Sequence, residues 1–395
     1  MFFGKSSTAR ERGSFEYLRT GNRYFDSACQ TLRPQEVIDA EMAYYREYNA
    51  CGGRVKYRWG QKVDMAVADA RALLLESVGK DPREYAVAFT PNTTYGINLV
   101  LHQLTEGSFA RLITSEIEHN SVMVPAMAWT KKRGAPLSIL PREAGGALRY
   151  GTNDVRNAVV IANTISNLDG RALTNAGQLA NDVHAENGVL LLDAAQGFAH
   201  DRKALSHVDF DAAFGSGHKT YAPSVGFVII RRSLLERLDP FFLGGGTVSD
   251  VGETGFDLLA GDDLHARLEP GLQDWGAIVG LTAALRWLEE QDPEKERGLT
   301  RSLWEGIAAM PRVRPLNAAA SPIVSFSVDG IDAHKLAVLL GEQKIMCRSG
   351  HFCCHRYLHN GLGLPPLLRV SIGLHNTQAD VDALLSTLRS ILSVF

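Results

Sequence analysis

The chain is short of cysteine, nearly neutral and free of long apolar runs, and each shortage excludes a class of protein. Five cysteines in 395 residues (Cys29, Cys51, Cys347, Cys353 and Cys354) are odd in number and unevenly placed, unlike an extracellular disulfide framework. A balance of 41 Lys+Arg against 44 Asp+Glu leaves −3, too little field to grip nucleic-acid backbone or an anionic membrane. No apolar run reaches the ~20 residues that cross a bilayer. The opening MFFGKSSTARERG brings charges in directly after Phe3, where a signal peptide needs its apolar segment. Fixed-period repeats, low-complexity stretches and the Walker and GxGxxG nucleotide patterns are all missing. The expectation is an ordinary globular protein of the cytoplasm.

What is present is 45% hydrophobic and 22% charged residues, and a length that predicts two or three domains at ~150 residues each. From Tyr85 to Arg232 short apolar runs (YAVAFT, RLITS, LSIL, AVVIAN, GVLLLD, DAAFGS, GFVII) alternate with longer helical segments. This βαβ rhythm predicts an α/β fold with a mostly parallel sheet covered on both faces. Two helices precede it, in RPQEVIDAEMAYYREYN and QKVDMAVADARALLLESVG. The segment LGGGTVSDVGETG reads as an irregular excursion. Beyond Trp275 the rhythm stops, and strands and helices mix as in a smaller α+β domain.

Five segments carry chemistry. In FDAAFGSGHKTYAPSVGFVII a strand runs into Gly215, Ser216, Gly217, His218 and Lys219. Glycines admit a ligand close to the backbone, and a partly desolvated lysine there suits a Schiff base; the plain alternative is a turn with a solvated lysine. GVLLLDAAQGFAH sets Asp193 at a buried strand end, with Gln196 three residues on. Such a carboxylate needs a cationic or hydrogen-bonding partner, unless it only caps the next helix. YAVAFTPNTTYGINLVL opens a helix at Thr93 and Thr94, a phosphate cradle or a bare N-terminus. ITSEIEHNSVMVP places His119 beyond a strand, as a ring to lie over a cofactor or as a structural histidine. IMCRSGHFCCHRYLHNGLGLPPLLRVSIGLHNT gathers His351, Cys353, Cys354 and His355, a poor spacing for one tetrahedral metal ion.

Read together, these motifs resemble the fold-type I pyridoxal-phosphate enzymes, specifically the class V aminotransferase and cysteine desulfurase family, in its subgroup with a short catalytic loop. The resemblance runs from YFDSACQTLRPQEVIDA to RVSIGLHNTQADVDALL. It implies a large domain over 24–284 with a seven-stranded sheet between helices, a small domain over 285–395 carrying the cysteine loop, and an arm over 1–23 packing on the small domain. It implies pyridoxal 5′-phosphate as cofactor, with Lys219 joined to its aldehyde, Asp193 on the pyridine N–H, Gln196 on the phenolic oxygen and His119 stacked on the ring. Thr93, Thr94, Ser216 and His218 would bind the phosphate, and Asn167 in NTISNLDG matches the asparagine beside the cofactor.

RSGHFC resembles the RxGxxC loop of the desulfurases. By that match Cys353 is the nucleophile that takes sulfur from L-cysteine as a persulfide and leaves L-alanine. Arg369 binds the substrate carboxylate, and Arg348 pairs with substrate or lowers the thiol's pKa. A homodimer and a sulfur-acceptor protein are implied as partners. Other reactions of the family (C–S lyase, aminotransferase, epimerase) and a non-catalytic sulfur-relay scaffold are the alternatives. Four departures stand out: PNTT puts Asn92 where the family has glycine; Leu272 replaces a phosphate-binding threonine from the partner subunit; Cys354 adds a second thiol; and Arg54, Lys56 and Arg58 stand where the family is rich in histidine.

Overall fold

The structure, a computed structural model, describes residues 13–18, 21–53, 55–105 and 107–395. Most of the 1–23 arm, and Arg54, therefore lie outside the described residues. The chain divides into a unit made of 37–165 and 172–286, and a second made of 1–36, 166–171 and 287–395.

The larger unit is built on the apolar runs. They form β1 (Tyr85–Thr90), β2 (Arg111–Ser115), β3 (Leu137–Leu140), β4 (Ala158–Asn163), β5 (Val189–Asp193), β6 (Ala212–Ser216) and β7 (Gly226–Arg231). They assemble as one seven-stranded sheet in the order β1-β7-β6-β5-β4-β2-β3, with β7 alone running against the rest. Continuous apolar runs are needed because both faces are covered. Successive residues of a strand point to opposite faces, and here they enter different cores. Tyr85, Val87, Phe89, Leu190 and Leu192 pack with the helices Arg58–Ser77, Ala176–Ala185 and Trp275–Glu289. Ala86, Ala88, Val189 and Leu191 pack with Thr93–Gln103 and Asn120–Arg133. The register sets Asn163 beside Asp193 and Asp193 beside Phe214, so the polar strand ends share one edge. The segment expected to be irregular instead forms a short antiparallel pair, Val248–Val251 with Phe256–Leu258, closed by a Gly252 N–H to Gly255 C=O bond. Both strands are short and mostly exposed, so they offer too few residues, and no buried face, for the period-2 signal that a half-buried strand shows.

The second unit holds a four-stranded antiparallel sheet of β8 (Val313–Pro315), β9 (Ile323–Val328), β10 (Arg348–Gly350) and β11 (Leu367–Ser371), in the order β8-β9-β11-β10. Leu368 and Val370 of β11 face a core shared with Leu303, Leu336, Leu384 and Leu388. Leu367 faces the other way, toward Leu168, Phe352, Cys354 and Leu358, and alternation puts Arg369 on that same side. Residues 24–36 and 166–171, which the resemblance places in the large domain, cluster with this unit. Arg23–Tyr24 pairs in parallel with Ile345–Met346, Asp26 bridges to Ser371, and the Asp169 carbonyl accepts from the Asn317 side chain.

Candidate active site

Two groups of residues matter, one in each unit. In the larger unit, the helix Thr93–Gln103 opens directly after β1. Asn92 is its N-cap: Oδ1 accepts the Tyr95 N–H at 3.0 Å. A Cβ on Gly226 would lie 2.4 Å from the Asn92 Cα, so a bare glycine at the start of β7 is what lets this turn settle there. Thr93 is buried, and both its N–H (2.9 Å) and its Oγ1 (2.8 Å) meet the Oγ of Ser216 at the end of β6. Thr94 is exposed, and its hydroxyl lies 2.7 Å from that of Ser121. Of the expected phosphate group, Thr93 and Ser216 are thus brought together, while Thr94 turns toward the His119 side. His119 is half-buried and caps the helix Asn120–Arg133: Nδ1 accepts the Ser121 N–H at 3.0 Å and lies 2.8 Å from the Ser121 hydroxyl.

Chain reversal beyond β6 passes through the single helical turn Gly217–Lys219, which leaves His218 and Lys219 half-buried. A Cβ on Gly217 would lie 2.5 Å from the Pro223 carbonyl, so the turn is as tight as glycine permits. Asp193, only 6% exposed, ends β5 and accepts the Ala195 N–H at 3.0 Å. It does not cap the following helix, whose N-cap is the buried Gln196. Burial raises the Asp193 pKa, and the Lys219 ammonium acts in the opposite direction.

Glu118 went unnoticed in the sequence. It is 2% exposed, accepts hydrogen bonds from the Ser115 hydroxyl and from the Asn163 N–H at 2.8 Å, and its pKa is pushed up to about 7. Burial is the main cause, offset by the Arg142 charge and aided by the Asp193 charge. The signal for it was an acidic residue within three positions of an apolar strand end.

In the second unit Asn167 is the hub. Its Nδ2 donates to the Phe352 carbonyl at 2.8 Å, its Oδ1 accepts from the Cys354 Sγ at 3.3 Å, and its own carbonyl accepts from Arg369 Nη1 at 3.0 Å. Phe352 and Cys353 take successive left-handed conformations (φ +48° and +58°), each costing ~1–2 kcal/mol in an L-residue. Their consequence is a sharp reversal of side chains: Phe352 is buried against the Arg369 guanidinium (4.7 Å to the ring centroid), Cys353 is exposed, and Cys354 is buried. The rings of His351 and His355 lie 5.3 Å apart.

Arg348 and Arg369 converge on Asp26, in the YFDSAC segment. Asp26 receives Arg348 Nε (2.9 Å to Oδ2) and Nη2 (2.9 Å), and Arg369 Nη2 (3.2 Å to Oδ1). Arg348 is thus tied to Asp26; the resemblance implies a role for it at the substrate or the thiol. Lys56 and Arg58 are exposed.

The comparisons agree with this layout. Residues 23–384 match the family described as aminotransferase class-V. The cysteine desulfurase CsdA of Escherichia coli (strain K12) is 29% identical over 96% of each chain, and the cysteine desulfurase of Salmonella agona (strain SL483) is 30% identical over 93% of each. Among solved structures, the apo cysteine desulfurase of Thermococcus onnurineus NA1 superposes with a TM-score of 0.88 at 25% identity over the whole of both chains. The S-sulfonic acid form of Escherichia coli CsdA gives 0.86 at 26% identity, covering 99% of this chain and all of that one. The chain belongs to the aminotransferase class-V family and, within it, stands with the cysteine desulfurases.

Proposed function

We propose that the protein is a pyridoxal 5′-phosphate-dependent cysteine desulfurase that converts L-cysteine to L-alanine and receives the sulfur on Cys353. The observation that carries this reading is the left-handed turn at Phe352 and Cys353, which presents one thiol outward and buries its neighbour.

The donor set of the larger unit fits the cofactor. A buried carboxylate, raised in pKa by desolvation, suits a ring nitrogen whose proton compensates its charge. A buried hydroxyl pair at the N-terminus of an 11-residue helix suits a phosphate. In this reading Thr93, Thr94, Ser216 and His218 would hold the phosphate, Gln196 the phenolic oxygen, His119 the ring face, and Lys219 the aldehyde carbon. When bound, the cofactor supplies an electron-accepting ring that makes the substrate Cα proton removable.

The chain's own groups do the rest. Arg369, stacked on Phe352 and bonded to the Asn167 carbonyl, would offer a planar fork to the substrate carboxylate. Asn167 would orient the same region, and Lys219, as a free amine, would take the Cα proton. Cys353 attacks the substrate sulfur as a thiolate. The Cβ–S bond breaks, an S–S bond forms on Cys353, Cβ gains a proton, Cα regains one from the Lys219 ammonium, and the carbon product is alanine. The persulfide passes to a thiol of an acceptor protein.

A homodimer belongs to this reading. Phe241, Phe242 and Leu243 are all more than 40% exposed and Leu272 is 75% exposed, more apolar surface than scattered residues need. A cytoplasmic location keeps Cys353 reduced. Among the described residues no helix is long and apolar enough to cross a membrane. The test is product analysis of the cofactor-loaded protein on L-cysteine. Alanine with an equal amount of protein-bound sulfane sulfur supports the reading; pyruvate with free sulfide indicates a lyase, and a keto acid an aminotransferase.

A further inference from the structure

Asp26 lies 343 residues from Arg369 in sequence, yet it is built into that residue's surroundings. The Ser371 N–H donates to the Phe25 carbonyl at 2.8 Å, and the Ala28 N–H donates to the Ser371 hydroxyl at 2.9 Å. Segment 25–28 is thereby stitched along the end of β11, two residues from Arg369. The Asp26 side chain is 13% exposed, that of Arg369 3%, and that of Arg348 47%.

The charge of the cluster is two guanidinium groups less one carboxylate, a net of +1. Arg369 spends Nη1 on the Asn167 carbonyl and Nη2 on Asp26, while its buried Nε has no hydrogen-bond acceptor. A buried N–H of a cation without an acceptor is costly, and here it lies on the edge of the guanidinium shared with Nη2. One carboxylate arriving at that edge satisfies Nε and brings the cluster to neutrality. A second negative charge on the same ligand meets a neutral cluster, with the Asp26 carboxylate already occupying Arg348.

We infer that Asp26 is a specificity-determining residue: by holding both arginines it limits the site to one negative charge and disfavours amino acids with an acidic side chain. This rests on Arg369 as the group that binds the substrate carboxylate. Discrimination here comes from a group set against the wrong ligand as well as from one that attracts the right one. Removing the Asp26 charge raises the cluster to +2 and frees Arg348 for a second anion; removing the Arg348 charge lowers it to zero.

The test is calorimetric binding of L-aspartate and L-alanine to the cofactor-loaded protein, read as the ratio of their dissociation constants. Asp26→Asn is expected to shift this ratio toward aspartate by about tenfold or more, and Arg348→Gln to shift it away. Asp26→Glu, which keeps the charge, is expected to stay near the parent ratio. A loss of packing alone weakens both ligands together and leaves the ratio unmoved. If Asp26→Asn fails to fold, Arg348→Gln still decides, since its expected shift has the opposite sign. Unchanged ratios in these variants, with Arg369→Ala weakening both ligands, overturn the role of Asp26 and leave Arg369 in place. Unchanged binding in Arg369→Ala removes the carboxylate reading itself, and the inference with it.

Discussion

The Sγ of Cys354 donates to Oδ1 of Asn167 at 3.3 Å, inside a pocket with Leu168, Phe352, Leu358 and Leu367. The second thiol of the pair is thus a buried structural donor. Cys354→Ala leaves the amide oxygen without its donor and opens a small void, at an expected cost of ~1–3 kcal/mol in urea unfolding. Cys354→Ser is expected to recover part of that loss. Peptide mapping after turnover is expected to find sulfur on Cys353 in both variants.

Glu118 governs a pH dependence of stability. Its folded pKa, about 7, lies above its ordinary value of 4.5, so the folded state binds its proton more tightly than the unfolded chain does. Its contribution is full below pH ~4.5 and is lost as pH rises through ~7, each unit of separation being worth ~1.4 kcal/mol. Thermal unfolding of the cofactor-free protein is therefore expected to lose stability from pH 5 to pH 7.5 in the parent, and to lose less in Glu118→Gln.

Arg369 makes its contacts through a fork that lysine lacks. Arg369→Lys is expected to raise KM for L-cysteine by ~10–100-fold, the range for a lost charged hydrogen bond, with a smaller fall in kcat. Steady-state kinetics on L-cysteine measures both.

Leu272 stands where the resemblance places a phosphate-binding threonine from the partner subunit, and its side chain is exposed. Leu272→Thr is expected to tighten cofactor binding several-fold. Spectral titration of the cofactor into the apoprotein checks it, and a variant that binds no better places Leu272 outside the phosphate site.

The sheet was legible because its strands are apolar on both faces, as in AVVIAN and VLLLD, in runs too short for helices and repeated between helical segments. The placement of Lys219, Asp193 and Thr93 at strand ends was legible because each sits within one motif there. Asp26 and Glu118 were not singled out, since their significance lies in partners that the chain brings in from far away: Arg348 and Arg369 for one, Asn163 for the other. The opposite fates of Cys353 and Cys354 were equally hidden. Adjacent residues of the same type carry no sign of which will be buried, and here two positive φ angles decide it.

The central claim is that Cys353 takes the substrate's sulfur while Lys219 holds the cofactor. Its most direct measurement is mass spectrometry of the cofactor-loaded protein after one turnover on L-cysteine, with borohydride reduction of a parallel sample. One added sulfur on the peptide containing Cys353, absent in Cys353→Ser, and the reduced cofactor on the peptide containing Lys219 are the expected results. Sulfur released with Cys353 unmodified, or cofactor fixed elsewhere, contradicts the account.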